Sequence, residues 1–329
     1  MSALAPTLQA FFTERLIRQR QASPNTVAAY RDTFRLLLTF AEQQTGTKPS
    51  QLDLADLDTE LIGAFLDHLE HQRLNSIATR NTRLAAIRSL FGYAAHRHPE
   101  HAATIARVLA IPLKRGPKTI VAFLRDEEIA ALLAAPDRSR WTGRRDHALL
   151  LTMIQTGLRV SELTGLDCVD ITLTTGPHLH CDGKGRKQRV TPLTPQTAAV
   201  LRVWQHERAG LPNDPLFPTS RGHRLSRDAV AWLLAKHVAA AAASCPSISA
   251  KTISPHTLRH TCAMRLLHAG IDTTVIALWL GHESTQTTQV YVHADLALKE
   301  NALARTAPTD TPPGRYRPPD QLLAFLEAL

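Results

Sequence analysis

The sequence predicts a mainly α chain that carries one small antiparallel β-sheet, arranged as an amino-terminal helical bundle followed by an α+β domain. Three observations predict it. Through most of residues 1–110 apolar residues recur at three- and four-residue steps, the period of helices with one buried face. Strand material is confined to "VDITLTT", "HLHCD" and "KQRVTPL", which are short and β-branched or alternating. At 329 residues and 44% hydrophobic, the chain is long enough to build two cores rather than one.

The first helix predicted lies in "NTVAAYRDTFRLLLTFAEQQ", where Val27, Tyr30, Phe34, Leu37 and Ala41 share a stripe and Asn25 or Thr26 can cap the start. "DLDTELIGAFLDHLEHQ" supplies a second. In "RNTRLAAIRSLFGYAAHRH" Leu84, Ile87, Phe91 and Ala94 fall on one stripe, while Arg80, Arg83, Arg88 and Arg97 crowd the remainder. Such a charge run is most often a solvated face, and here Arg80 and Arg83 are also candidates for contact with a polyanionic partner. The bundle is expected over 1–110. "IPLKRGPKTI" then combines proline, glycine and basic residues, so 111–122 reads as a linker whose Lys114, Arg115 and Lys118 can follow a phosphate backbone.

The second domain is expected over 123–305. It opens on "FLRDEEIAALLAA", with Asp126 as cap and Glu127 and Glu128 at the positive end of the helix dipole. Helical periodicity continues through "RRDHALLLTMIQTGLRVSELTGL", broken at Gly157 just before Arg159. The turn "GKGR" joins the last two strands as a hairpin and carries Lys184. Helices return in "DAVAWLLAKHVAAAAAS", "SPHTLRHTCAMRLLHAG" and "DTTVIALWLGHE". Residues 306–329 read as a proline-rich tether ending in the amphipathic "QLLAFLEAL".

Charge narrows the partner. Thirty-eight Lys and Arg against 29 Asp and Glu give a net +9, which favours a polyanion. The four cysteines, Cys168, Cys181, Cys245 and Cys262, contain no C-x-x-C pair, so neither a zinc ribbon nor a disulfide framework is indicated and a reducing cytoplasm fits. No leader-like start or membrane-length apolar run is present, and the expectation is a soluble cytoplasmic protein.

The residues that could carry chemistry are Arg159, Lys184, His256, Arg259, His282 and Tyr291. Two guanidiniums offer forked donors to phosphate oxygens and stay charged near neutral pH. Imidazoles can donate to the same oxygens or move a proton, lysine can protonate a leaving oxygen, and tyrosine can form a phosphoester. Each has a plainer reading alone. Arg159 could simply pair with Glu162, Lys184 could be an exposed hairpin lysine, and Tyr291 could be a residue of the core. His256 and His260 stand at i, i+4 like a metal pair, but the H-E-x-x-H acid is missing and Arg259 lies between them. "GKGRK" lacks the spacing of a P-loop.

Taken in order, "TGLRVSEL", "GKGRKQRVTPL", "SPHTLRHTCAMRLLHAGID" and "LWLGHESTQTTQVYVH" closely resemble the catalytic domain of tyrosine recombinases, the phage-integrase and Xer-type site-specific recombinases. The likeness runs over roughly residues 123 to 300, and the helical start resembles that family's SAM-like core-binding domain. The resemblance implies that Arg159 and Arg259 clamp the scissile phosphate and that Tyr291 attacks it. His256 and His282 would hydrogen-bond the phosphate, His256 accepting the tyrosine proton, and Lys184 would protonate the departing 5′-oxygen. Glu162 would be a supporting acid and His260 a helix-packing histidine. The same resemblance implies a 3′-phosphotyrosyl intermediate, a Holliday junction, and a homotetramer on two double-stranded DNA sites with the carboxy-terminal helix exchanged between neighbours. No metal, nucleotide or other cofactor is called for. The rival readings are a type IB topoisomerase, which shares the chemistry without synapsis, and a non-catalytic DNA-binding regulator.

Overall fold

The computed structural model describes residues 4–116, 121–183 and 188–281, with Asp182 described in its backbone alone. The chain divides into two compact units, residues 1–118 and 119–329.

The first unit is all helical. Helix α1 (Leu4–Ala10) runs straight into a π-type stretch, Phe11–Gln19. It is followed by α2 (Pro24–Thr45), α3 (Thr59–His71), α4 (Ile77–Ala94) and α5 (Ala102–Ala110). The cap of α2 is Ser23, whose Oγ accepts from the Thr26 amide, so the helix starts upstream of the expected Asn25 or Thr26. Pro24 explains the shift: at the first helical position its missing N–H costs nothing. Asp58 and Ser76 cap α3 and α4 in the same way.

The predicted stripes form the core: Phe34, Leu37 and Ala41 of α2 are buried with Leu84, Ile87, Phe91 and Ala94 of α4. Tyr30 packs against them half-buried. The amino-terminal helix and α5 fall inside the bundle expected over 1–110, though the sequence pattern singles out neither as a separate helix. In the former, Leu4, Thr7, Phe11 and Leu16 are buried at steps of three, four and five residues, because the wider i→i+5 turn delays the last one.

The second unit packs around α7 (Trp141–Thr156), which follows α6 (Asp126–Ala134). The first turn of α6 is closed by Glu128, which accepts the Arg125 amide at 2.8 Å, rather than by Asp126. Helix α8 is Val160–Gly165. The sheet has the order β1 (Ile171–Thr172), β2 (His178–Asp182), β3 (Gln188–Pro192), antiparallel throughout, with Ile171 opposite Leu179 and Cys181 opposite Arg189. β1 keeps only two residues of the expected run.

Helices α9 (Pro195–Arg208), α10 (Arg227–Ala241), α11 (Pro255–His268) and α12 (Thr273–Leu280) complete the unit. Leu149, Leu150, Met153 and Ile154 of α7 are buried in one cluster with Leu201 and Trp204 of α9 and Leu258 of α11. A smaller cluster joins Cys262, Met264 and Leu267 of α11 to Ile276 and Leu280 of α12.

Gly157 ends α7 in the left-handed region, at φ 64°. A Cβ there would lie 2.5 Å from the Leu280 side chain, so glycine meets both the backbone and the close approach of α12.

Candidate active site

Three elements of the second unit, α8, β3 and α11, each bring a polar side chain to the carboxy-terminal end of α12. Arg159 stands at the entrance to α8, where its amide donates to Glu162 Oε2 at 2.8 Å. Its guanidinium donates to Glu162 Oε1 at 2.7 Å and to the Gly281 carbonyl at 3.0 Å. Arg259, on α11, is 3% exposed and reaches the Gly157 and Leu280 carbonyls, each at 2.6 Å. Both arginines therefore bind consecutive carbonyls at the same helix end, where orphan carbonyls and the dipole favour cations.

His256 sits nearly one turn before Arg259 on α11, exposed, its ring 5.1 Å from that of His260. Burial of part of the ring, then the charges of Arg259 and Arg159, hold its pKa below the usual value. It is thus neutral near pH 7 and able to accept a proton. Ser254 caps α11 and Pro255 opens it, which fixes the turn that presents His256.

His260 is held down to about 4, by burial first and then by His256 and Arg259. Between its ordinary value of 6.5 and this value the unfolded chain binds more protons than the folded one, so stability falls as pH drops through that window. Urea melts at pH 7 and pH 5 should show a loss that is smaller in His260→Asn. Equal losses in the two proteins would exclude His260 as the source.

Sequence reasoning did not single out Arg189. This residue of β3 donates to Glu162 Oε2 at 2.8 Å and also to the Leu280 carbonyl. The signal was present in the strand alternation, which puts Arg189 on the same face as the buried Thr191. A cation on an inward face needs a partner. Glu162, 6% exposed, therefore serves two guanidiniums, and the site keeps an excess of positive charge.

The other expected catalytic residues, Lys184, His282 and Tyr291, lie outside the described residues, as do Lys118 and the tail 306–329. Among the described residues no three His, Cys, Asp or Glu side chains gather as a metal set.

In the first unit, Arg80 departs from the solvated face expected of it, whereas Lys114 stays exposed but shares its charge with a carboxylate. Arg80 is 6% exposed, and its guanidinium meets Glu70 at 3.2 Å, Asn81 and the Pro112 carbonyl, so it braces the unit from within instead of facing a phosphate. Lys114 donates to the Glu70 carboxylate at 2.9 Å, and its backbone exchanges hydrogen bonds with the Asn81 side chain, which straps the start of the linker onto α4. Arg115 is exposed. Arg83 is half-buried against Thr33, and desolvation, then the charge of Arg73, lowers its pKa.

A helical unit joined to an α+β unit, with forked cations gathered at one helix end and an imidazole held down by burial and by their charge, defines a protein equipped to handle a phosphodiester. The comparisons agree. Residues 122–297 match the Phage integrase family, and residues 10–98 match the phage integrase N-terminal SAM-like domain. A putative integrase/recombinase, y4rC, of Sinorhizobium fredii is 55% identical over 100% of this chain and 99% of its own length. Tyrosine recombinase XerC of Pelobacter propionicus is 36% identical over 90% of this chain and 93% of that protein. The crystal structure of XerH site-specific recombinase bound to palindromic difH substrate, a post-cleavage complex, aligns with a TM-score of 0.70 at 23% identity, covering 87% of this chain and 81% of that one, and it shows the shared fold. The chain belongs to the phage integrase family and is an enzyme of the tyrosine recombinase class, whose work is site-specific DNA recombination. Neither the topoisomerase nor the regulator alternative is favoured by these relatives. No helix among the described residues is long and apolar enough to cross a membrane.

Proposed function

We propose that Tyr291 is the nucleophile of this recombinase, with Arg159, Arg259, His256, His282 and Lys184 serving the transferred phosphate. The Tyr291 hydroxyl attacks phosphorus as His256 takes its proton. The bond to the 5′-oxygen breaks, and Lys184 supplies the proton to that oxygen. A 3′-phosphotyrosyl link and a free 5′-hydroxyl result, and the hydroxyl of another strand reverses the step through a Holliday junction. The bond energy is conserved in the phosphotyrosine, so neither nucleotide nor metal takes part. The observation that carries this reading is the pair of guanidiniums, Arg159 and Arg259, bound at one helix end beside a histidine held neutral.

Four protomers on two double-stranded sites would exchange strands pairwise, each passing residues 320–329 to a neighbour. Leu322, Leu326 and Leu329 stand at four- and three-residue steps in that sequence, a spacing that supports an amphipathic segment docking on a catalytic domain. Arg83, Arg115 and Lys118, with Lys114 sharing its charge with Glu70, would follow the phosphate backbone. The reaction belongs where bacterial DNA lies, in the cytoplasm.

The test is a pool of nicked suicide duplexes with a randomised core, incubated with the protein in EDTA. Covalent adducts should be recovered, linked through a 3′ end to Tyr291 when mapped by peptide mass. Adducts that appear only when a divalent metal is supplied, or that join a 5′ end, would refute the mechanism.

A further inference from the structure

We propose that Arg189 is a positioning residue of this reaction: it fixes the end of α12 from which the Tyr291-bearing segment departs. The inference rests on the recombinase reading above and deepens it. Arg189 lies on β3 with its side chain 11% exposed, and its guanidinium joins two other elements. One nitrogen donates to Glu162 of α8 at 2.8 Å, and another donates to the Leu280 carbonyl of α12. The Leu280 carbonyl also accepts from Arg259 at 2.6 Å, so both of its lone pairs are used. The next carbonyl, Gly281, is held by Arg159 at 3.0 Å. Three guanidiniums thus pin two successive carbonyls.

Gly281 is built for this contact. It adopts φ 64°, and a Cβ at that position would stand 2.5 Å from a terminal nitrogen of Arg189. Any larger residue would both strain the backbone and push the guanidinium off Leu280. Tyr291 follows ten residues later (291 − 281 = 10). An anchor that close to a nucleophile sets the origin of its reach, and a displacement of about 1 Å at a reacting group can cost roughly a hundredfold in rate. Glu162 adds a second consequence: it couples Arg189 to Arg159, so the carbonyl anchor and the phosphate clamp share one carboxylate.

The experiment uses the full chain and a duplex recovered by wild-type protein from the randomised pool. Arg189→Met keeps the apolar stem and removes the fork, and Arg189→Lys can satisfy one acceptor but not both. Single-turnover adduct formation at saturating DNA should slow about 30- to 100-fold in Arg189→Met and less in Arg189→Lys, with half-site affinity within about twofold of wild type. Gly281→Ala, with Arg189 intact, should reproduce the rate loss. Near-UV circular dichroism and urea midpoints report folding, and if the Met variant does not fold, the Lys and Gly281→Ala variants decide. A 5′-phosphorothiolate substrate, whose leaving group needs no proton, should leave the defect in place. Wild-type rates in all three variants, or full rescue by the phosphorothiolate, would overturn the assignment. Failure of the wild-type protein to form any adduct would instead overturn the recombinase mechanism itself.

Discussion

Tyr291→Phe is expected to eliminate the covalent DNA adduct while leaving folding and half-site affinity within about twofold of wild type. The substitution removes one oxygen and keeps the ring, so whatever contacts the ring makes survive it. In the proposed set no other group is free to replace the phenol as nucleophile: both guanidiniums lack a lone pair to share, His256 takes the proton, His282 donates to the phosphate, and Lys184 carries the proton for the leaving oxygen. Removing a covalent nucleophile elsewhere lowers turnover by roughly a millionfold, which on a denaturing gel is complete loss. The same suicide duplex that traps wild-type protein supplies the measurement. An adduct that persists in Tyr291→Phe would identify a different nucleophile. Loss of DNA binding in parallel with the adduct would make Tyr291 a structural residue instead.

Periodicity made most of the fold legible. The stripe Phe34, Leu37, Ala41 and the stripe Leu84, Ile87, Phe91, Ala94 are core positions in the folded unit, since a helix buried on one face must repeat its apolar residues at that interval. The break at Gly157 was readable because α7 ends in a conformation that glycine adopts without strain. Helix starts were less so. Asn25, Thr26 and Asp126 have the right chemistry for caps, but Pro24 moves one start to Ser23 and Glu128 closes another from inside the first turn. Helix α9 could have been found from Thr194 and Pro195, which cap and open it as Ser23 and Pro24 do α2.

Charged residues divided along a different line. Which arginines face outward depends on acceptors that sequence does not bring together: Glu70 draws in Arg80 and Lys114, and Glu162 draws in Arg189. The order of motifs singled out Arg159, His256 and Arg259 as one set, but their common meeting point was not readable. The carbonyls of Gly157, Leu280 and Gly281 belong to two helix ends far apart in the chain, and only the folding of α12 against α7 and α11 unites them.

That meeting point separates the two clamp arginines experimentally. Arg259→Lys keeps one positive charge but loses the fork, so in a site only 3% exposed a single ammonium cannot hold both carbonyls, and Gly157, unlike Leu280, has no bond from Arg189 to fall back on. Each buried acceptor left without its donor costs about 1–3 kcal/mol, so the urea midpoint should fall. Arg159 has a side chain 27% exposed, and water can replace its bond to Gly281, so Arg159→Lys should change the midpoint little. Cleavage should respond alike in both. Each variant removes a preorganised donor from charge that develops on the phosphate, a loss of about 3–4 kcal/mol or roughly a hundred- to a thousandfold in rate. Single-turnover adduct formation, measured on the same duplex at a urea-free temperature well below both melts, isolates the chemical step from the stability difference. If Arg259→Lys loses stability and Arg159→Lys does not, while both lose two to three orders of magnitude in rate, Arg259 serves the fold and the phosphate together. A variant that keeps wild-type cleavage at either position would remove that arginine from the clamp.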